Sequence, residues 1–341
     1  MTSLHEHLER LAAGNDLTSD DAYAAFAAIM QGEVSEVEIA ALLTALRVKG
    51  ETVGEIVGAA RAMRERATGI VPKKSGLLDT CGTGGDRLQT FNISTAAALV
   101  LAACGVPVAK HGNRGVSSSS GSADVLEQLG VNINLSPEQV ARCIDELGIG
   151  FCFAPLLHGA MKHAAPVRKQ LRFRTIFNLL GPLTNPAGAE FQLLGTGRIE
   201  TAERLARALA ELGRRHAFVV CGADQLDEVS LWGTTTAFEI SGSRLVEHRW
   251  AAATFGLPEC TVADLQVSSP AESAAVLRRI FQGEPGPARN IVLANSAAGL
   301  LAAERTTDPR AAVTQAAAAI DTGQVRELLN RLAKSTSAIQ K

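Results

Sequence analysis

Apolar residues recur at helical intervals from the amino terminus to about Arg66. Ile39, Leu42, Leu43 and Leu46 share one face of a segment that Ser35 opens with Glu38 three residues on, and Thr52 with Glu55 repeats that start signal. No strand is required there. Beyond this stretch the pattern changes. Short apolar runs at 77–78, 106–109, 151–153, 191–194, 217–221 and 291–294 alternate with amphipathic segments, one of which begins at Ser136 with Pro137 in the first helical position. Strands alternating with crossover helices predict a mostly parallel sheet flanked by helices on both faces. The expected fold is therefore α/β. A small N-terminal all-helical domain (1–70) precedes a large α/β domain (77–341), and a hinge (71–76) is marked by Pro72, Lys73, Lys74 and Gly76.

Composition narrows this picture. With 341 residues, 46% of them hydrophobic and only 4% aromatic, the chain has enough aliphatic material for one large core and a smaller one. A net charge of −2 argues against a nucleic-acid backbone as the main partner. The six cysteines show no C-x-x-C pair and no zinc spacing, which fits small buried hydrophobes in a reducing compartment. No secretory leader is legible before the first helix, and no apolar run approaches the roughly 18 residues of a membrane span, so a cytoplasmic location is expected.

Candidate chemistry gathers at three strand ends. The run 77–78 feeds Gly82-Thr83-Gly84-Gly85-Asp86, and Asn92-Ile93-Ser94-Thr95 then opens an Ala/Leu-rich helix, so backbone amides line a concave wall suited to oxyanions. The glycines are not followed by Lys-Ser/Thr as in a P-loop, and their spacing is not Gly-x-Gly-x-x-Gly. The run 106–109 leads into Lys110-His111-Gly112-Asn113-Arg114, four serines from Ser117 to Ser120, and Gly121-Ser122-Ala123-Asp124 at the start of another helix. The run 217–221 leads into Asp227-Glu228. Adjacent acids are ordinarily solvated surface charge. At the carboxyl end of a strand, where open α/β sheets bind ligands, they suit Mg2+, which takes one or two carboxylates together with phosphate oxygens. A polyanionic ligand is expected.

In order and spacing these blocks, with Met161-Lys162-His163-Ala164-Ala165-Pro166-Val167-Arg168 and the run from Arg174 through Asn178 and Gly181 to Pro186, resemble the signature blocks of the anthranilate phosphoribosyltransferase family over the whole chain. The resemblance implies a nucleoside phosphorylase/phosphoribosyltransferase-like fold. It implies transfer of the phosphoribosyl group of 5-phosphoribosyl 1-pyrophosphate (PRPP) to the amine of anthranilate in tryptophan biosynthesis. The displacement is assisted by Mg2+, with two ions held largely through pyrophosphate, and forms no covalent enzyme intermediate. It further implies a homodimer formed through the helical domain, which part of 165–188 joins, and a substrate site in the cleft between the domains.

By the same resemblance, PRPP is bound by Gly82, Gly85, Asp86, Thr90, Asn92, Ile93, Ser94, Thr95, Lys110, Arg114, Ser117, Ser118 and Ser122. Gly82, His111, Asn113 and Arg168 contact anthranilate, and Ser94, Asp227 and Glu228 hold the metal. No nucleophile is assigned, since an aromatic amine with a free lone pair needs positioning rather than covalent catalysis. Arg168 suits a carboxylate through its planar fork, although it also belongs to a basic run that would serve as an ordinary charged helix face. His111 is assigned positioning, while His158 and His163, five residues apart, do not share the helical face a metal pair needs. Arg87, Gly159 and the segment from Cys221 to Gln225 depart from the family pattern without removing a phosphate or metal ligand. Two other functions fit the architecture less well. A pyrimidine nucleoside phosphorylase would carry a Lys-His-Ser-type loop and lack the acidic pair, and a nucleic-acid-binding relative would show a strongly basic surface.

Overall fold

A computed structural model describes residues 4–86, 88–115 and 120–338 of the chain. Four helices come first: α1 (Leu4–Ala12), α2 (Ser19–Gln31), α3 (Glu36–Lys49) and α4 (Val53–Arg66). The last three start as their sequences dictate, because Thr18, Ser35 and Thr52 each accept the amide three residues on while the acidic side chain there reaches back to the cap. The buried Glu55 carboxylate also accepts the Leu17 amide and pairs with Lys49, which ties the entry of α2 to α4.

The α/β part runs β1 (Leu78–Gly82), α5 (Ile93–Ala103), β2 (Val108–Gly112), α6 (Ser122–Gln128), α7 (Pro137–Leu147), β3 (Ile149–Phe153), α8 (Ala154–Leu157), α9 (Ala165–Leu171) and α10 (Phe177–Leu180). It continues with β4 (Phe191–Gly195), α11 (Ile199–Glu211), β5 (His216–Cys221), β6 (Thr235–Ser241), β7 (Arg244–Trp250) and α12 (Ala252–Phe255). Helices α13 (Pro270–Phe281), α14 (Pro287–Ala302), α15 (Pro309–Asp321) and α16 (Gln324–Ala338) close the chain. The seven strands lie in the order β3-β2-β1-β4-β5-β6-β7. β1 to β5 are mutually parallel, whereas β6 and β7 are antiparallel. Because Gly82 lies opposite Gly195 and Gly112 opposite Phe153, the carboxyl ends of the central strands finish level with one another.

Two hydrophobic cores hold the molecule. One surrounds α5 and α14 beneath the sheet. The other joins Phe26, Leu42 and Ile56 of the bundle with Val167, Ile176, Phe177 and Leu180, and then with Leu205 and Val219, so the segment after α9 is packed onto the bundle. The Phe26 and Phe177 rings meet edge to face at 5.5 Å.

The structure corrects the pattern in two places. The run 291–294, expected as a strand, lies inside the 16-residue helix α14, where every residue from Ile291 to Ala302 is buried. A helix enclosed on all sides is apolar all round, so a short apolar run within it carries no strand period. The hairpin β6–β7 was not expected. Its turn is Gly242-Ser243, with Gly242 at φ +58°, a two-residue connection between the strands. Among the described residues, no helix is long and apolar enough to cross a membrane.

Candidate functional site

The turn after β1 leaves the sheet alongside β4, where the Thr83 amide donates to the Gly195 carbonyl at 2.9 Å. Gly84 and Gly85 then take left-handed conformations, φ +65° and +84°, that few other residues tolerate. Gly82 serves a different purpose. A Cβ there would stand 2.6 Å from Asp227 Oδ2, so the missing side chain is what lets the acidic segment close against β1. Asp227 Oδ2 in turn accepts the Gly84 amide at 2.9 Å. From the far side Arg174 donates to the carbonyls of Gly84 (2.5 Å) and Thr83 (2.8 Å), turning the loop's amides away from itself.

The second acid reaches the next element. Glu228 Oε1 accepts the Ser94 amide in the first turn of α5 at 3.0 Å, the end of a helix that favours negative charge. Lys110 comes from β2 into the same space. Only 3% exposed, its Nζ donates to the Thr80 carbonyl at 2.5 Å and lies 3.3 Å from Ser94 Oγ. The glycine turn, the start of α5, the end of β2 and the Asp227-Glu228 segment thus meet at one place.

Electrostatics there are unbalanced. Burial, then the neighbouring Asp86 carboxylate, raises Asp227 to about 7, and burial with Asp227 beside it raises Glu228 to about 8. Burial also lowers Lys110, against the pull of Asp79, Glu228 and Asp227. Carboxylates crowded until they retain protons suit a cation. Among the described residues no three His, Cys, Asp or Glu groups enclose one by themselves, so a metal here must complete its shell with other oxygens. That is how Mg2+ binds beside phosphates.

Beside this cluster the buried Asp79 carboxylate accepts the His111 amide at 3.0 Å, and Asn185 donates to the Ala109 carbonyl at 2.7 Å. His111 Nδ1 lies 3.1 Å from the Gly181 carbonyl, and its Nε2 lies 3.2 Å from His158 Nε2. A carbonyl only accepts, so His111 carries its proton on Nδ1 and takes a second hydrogen bond from His158. Both rings are neutral, since burial lowers each to about 4. The chain from Gly181 through His111 to His158 fixes the imidazole as a rigid wall.

The other expected site residues are distributed as follows. Asn92 bridges three segments: its Nδ2 donates to the Ser120 carbonyl at 3.0 Å, and its Oδ1 accepts the Ser120 hydroxyl at 2.6 Å and the Ser273 hydroxyl at 2.8 Å. Ile93 and Thr95 are buried in the first turn of α5. Thr90 forms an isolated bridge with Gln266, and Asp86 Oδ1 accepts the Leu88 amide. The Asn113 carbonyl accepts the Ala123 amide at 3.2 Å and the Ser122 hydroxyl at 3.3 Å. Arg114 is engaged by acids of α6, paired with Asp124 at 3.0 Å and Glu127 at 2.6 Å. The Arg168 guanidinium rests over the Phe177 ring at 5.2 Å and has no carboxylate partner among the described residues. Ser117, Ser118 and Arg87 lie outside the described residues.

Three contributors were not among the expected site residues. Arg174, Asp79 and His158 act through partners 90, 32 and 47 positions away, respectively. Nothing local announces such pairings.

Comparison with known proteins identifies relatives of the whole chain. Residues 5–67 match the family described as a glycosyl transferase family helical bundle domain, and residues 74–326 match its a/b domain. The anthranilate phosphoribosyltransferase of Symbiobacterium thermophilum is 49% identical over 333 residues, covering 98% of each chain. The crystal structure of anthranilate phosphoribosyltransferase (TrpD) from Thermus thermophilus superposes with a TM-score of 0.91 at 42% identity, over 97% of this chain and 99% of that one. The Saccharomyces cerevisiae enzyme in complex with PRPP and Mg also gives 0.91, at 28% identity over 98% of both chains.

Proposed function

The chain belongs to the anthranilate phosphoribosyltransferase family, and from that membership we infer the reaction and a role for each part of the site. The enzyme transfers the phosphoribosyl group of PRPP to the amine of anthranilate, giving N-(5-phosphoribosyl)anthranilate and pyrophosphate, a step of tryptophan biosynthesis. The observation that carries this reading is the meeting of the glycine turn, the amino end of α5 and Lys110 with Asp227 and Glu228, since it puts a helix amino terminus, a cation and two metal-ready acids within reach of one diphosphate.

The difficult part of the reaction is separating pyrophosphate from a ribose carbon that becomes oxocarbenium-like. Charge grows on the leaving group, so catalysis consists of holding it and absorbing that charge. The end of the glycine turn and the positive amino end of α5 face the phosphates, with Lys110 held between Thr80 and Ser94 as a fixed cation. Bound Mg2+ supplies counter-charge to the departing oxygens. Asp227, Glu228 and the Ser94 hydroxyl would hold it, with room for a second ion that would be bound largely through pyrophosphate. Asn92, Thr90, Thr95 and Ser122 shape the ribose and 5-phosphate end, together with the serine segment that follows β2. Arg114 joins them by exchanging Asp124 and Glu127 for phosphate.

Anthranilate needs its carboxylate anchored and its amine aimed. Arg168, with no carboxylate partner of its own, offers the bidentate fork. The neutral His111 wall, Asn113 and the bare backbone of Gly82 confine the ring. No group attacks the sugar covalently, and the amine reaches the anomeric carbon by positioning alone. The bundle (1–70), joined by part of 165–188, closes over the α/β domain (77–341) about the 71–76 segment. It also forms a homodimer contact, for which Val37 and Val48, 78% and 82% exposed on α3, provide apolar surface.

The test is Mg2+-dependent loss of anthranilate fluorescence on mixing with PRPP. A wild-type chain inert toward anthranilate but able to cleave pyrimidine nucleosides with phosphate would overturn the reading.

A further inference from the structure

At the opposite end of the sheet, against the amino ends of β4 and β5, lies a cavity of about 340 Å³. Its walls come from both parts of the fold: Arg64 at the end of α4 and Gly69 beyond it, Gly188 and Glu190 before β4, and Gly213 and Arg214 before β5. The volume falls within the range of small-ligand sites. At Gly69, Gly188 and Gly213 a Cβ would meet nothing within 4 Å, so these stretches of backbone border open space.

Charge makes this cavity unusual. Arg214 is 7% exposed, and its guanidinium has neither an ion pair nor a hydrogen bond to any described residue. Its Nε is fully enclosed without a partner, and the residue lines the cavity. Arg64 is fastened by two carbonyls, Leu183 at 2.7 Å and Leu212 at 3.4 Å, and no carboxylate neutralises it. Burial lowers Arg64 to about 10, with the positive Arg214 beside it adding to the effect. Two carboxylates stand nearby, Glu190 on the wall itself and the buried Asp79, whose charge acts on Arg214 without an ion pair or hydrogen bond to it. Glu190 accepts the amides of Gly76 and Leu77, and Asp79 accepts the His111 amide. Arg215, at the rim, is matched by Glu304 at 2.6 Å.

Two guanidinium groups of like charge, one buried and one half-buried and neither ion-paired to a carboxylate, cost stability unless something supplies the missing charge. Their planar forks fit tetrahedral oxyanions and grip them bidentately. We propose that this cavity binds a phosphate-type oxyanion between Arg64 and Arg214, either free inorganic phosphate or the head group of a small phosphomonoester. The occupant bridges the last helix of the bundle and the start of β5, behind the substrate cleft and separate from it.

The experiment measures thermal unfolding and isothermal titration of the full chain with inorganic phosphate and with glycerol 3-phosphate. Wild type, Arg214→Met, Gly69→Leu and Lys110→Ala are compared, each with and without Mg2+ and PRPP. The expected result is a rise in wild-type Tm of about 2–4 °C at saturating phosphate. The rise survives in Lys110→Ala, which separates it from phosphate bound at the substrate site. Arg214→Met removes the response while leaving the ligand-free Tm unchanged or higher, because an unpaired buried charge has gone. Gly69→Leu removes it by filling the cavity with both arginines intact. Affinity at least tenfold higher for glycerol 3-phosphate assigns the phosphomonoester, and equal affinity assigns free phosphate. The proposal is overturned if no stabilisation appears by about 50 mM phosphate, if it persists in both Arg214→Met and Gly69→Leu, or if it vanishes in Lys110→Ala.

Discussion

Asp227 accepts the Gly84 amide at 2.9 Å across 143 positions of sequence, and Gly82, two residues before Gly84, has no side chain where Asp227 Oδ2 would meet it at 2.6 Å. The glycine turn and the acidic segment are therefore one construction. Gly82→Ala should push the carboxylate aside while leaving the cores untouched. We expect kcat/KM to fall by about a hundredfold or more, equivalent to about 3 kcal/mol of transition-state stabilisation, with a Tm within a few degrees of wild type. Steady-state kinetics beside a melting curve checks this. Unchanged kinetics would mean that the close approach is not needed.

The same acid should trade stability for function. Asp227 is raised to about 7 in the folded chain, chiefly by burial, so between the ordinary carboxylate range near 4 and that value the folded state holds a proton the unfolded state has released. Its contribution to stability is therefore lost as pH rises from about 4 to 7. Asp227→Asn removes that dependence. Without Mg2+ the variant should melt at a higher temperature than wild type at pH 8 and close to it at pH 5, yet lose the Mg2+-dependent activity. Melting curves in a chelator, from pH 5 to 9, decide it.

How much of this was legible depended on how local each signal was. The helix starts at Ser35 and Thr52 could be read because cap and partner are three residues apart, and the structure has both boxes. The glycine turn could be read because glycines at Gly84 and Gly85 announce their own backbone geometry. Helix α14 could not, since complete burial erased the polar stripe that distinguishes a helix from a strand. Nor could the engagement of Arg114 with Glu127, or the role of Arg174 behind the turn. A sequence block shows that a cation is present but not which way it points.

The two buried imidazoles should set the acid limit of the fold. His111 and His158 are each lowered to about 4 by burial, below their ordinary value of 6.5. With the folded values depressed, the unfolded chain takes up protons first, so stability should decline as pH falls from about 6.5 toward 4. His158→Leu removes one of these groups and strips His111 Nε2 of its donor, an unsatisfied buried acceptor that costs about 1–3 kcal/mol. We expect a lower Tm at pH 7.5, a shallower loss of stability between pH 6.5 and 5, and a KM for anthranilate raised more than that for PRPP. An acid slope identical to wild type would remove the pair from this role.

Arg168 gives the sharpest separation of the two substrates. Its guanidinium lies over Phe177 at 5.2 Å and has no acidic partner among the described residues, so it remains available to a ligand carboxylate. Removing a hydrogen bond to a charged group costs about 1.5–3 kcal/mol, or about 10- to 150-fold. Arg168→Ala should therefore raise the KM for anthranilate by about that factor and leave the KM for PRPP within about twofold. Arg168→Lys keeps the charge but loses the planar fork and its place over the ring, so it should recover only part of the deficit. Paired titrations of each substrate at saturating levels of the other measure both constants. Equal increases in the two KM values would show that Arg168 supports the closed site as a whole rather than holding the anthranilate carboxylate.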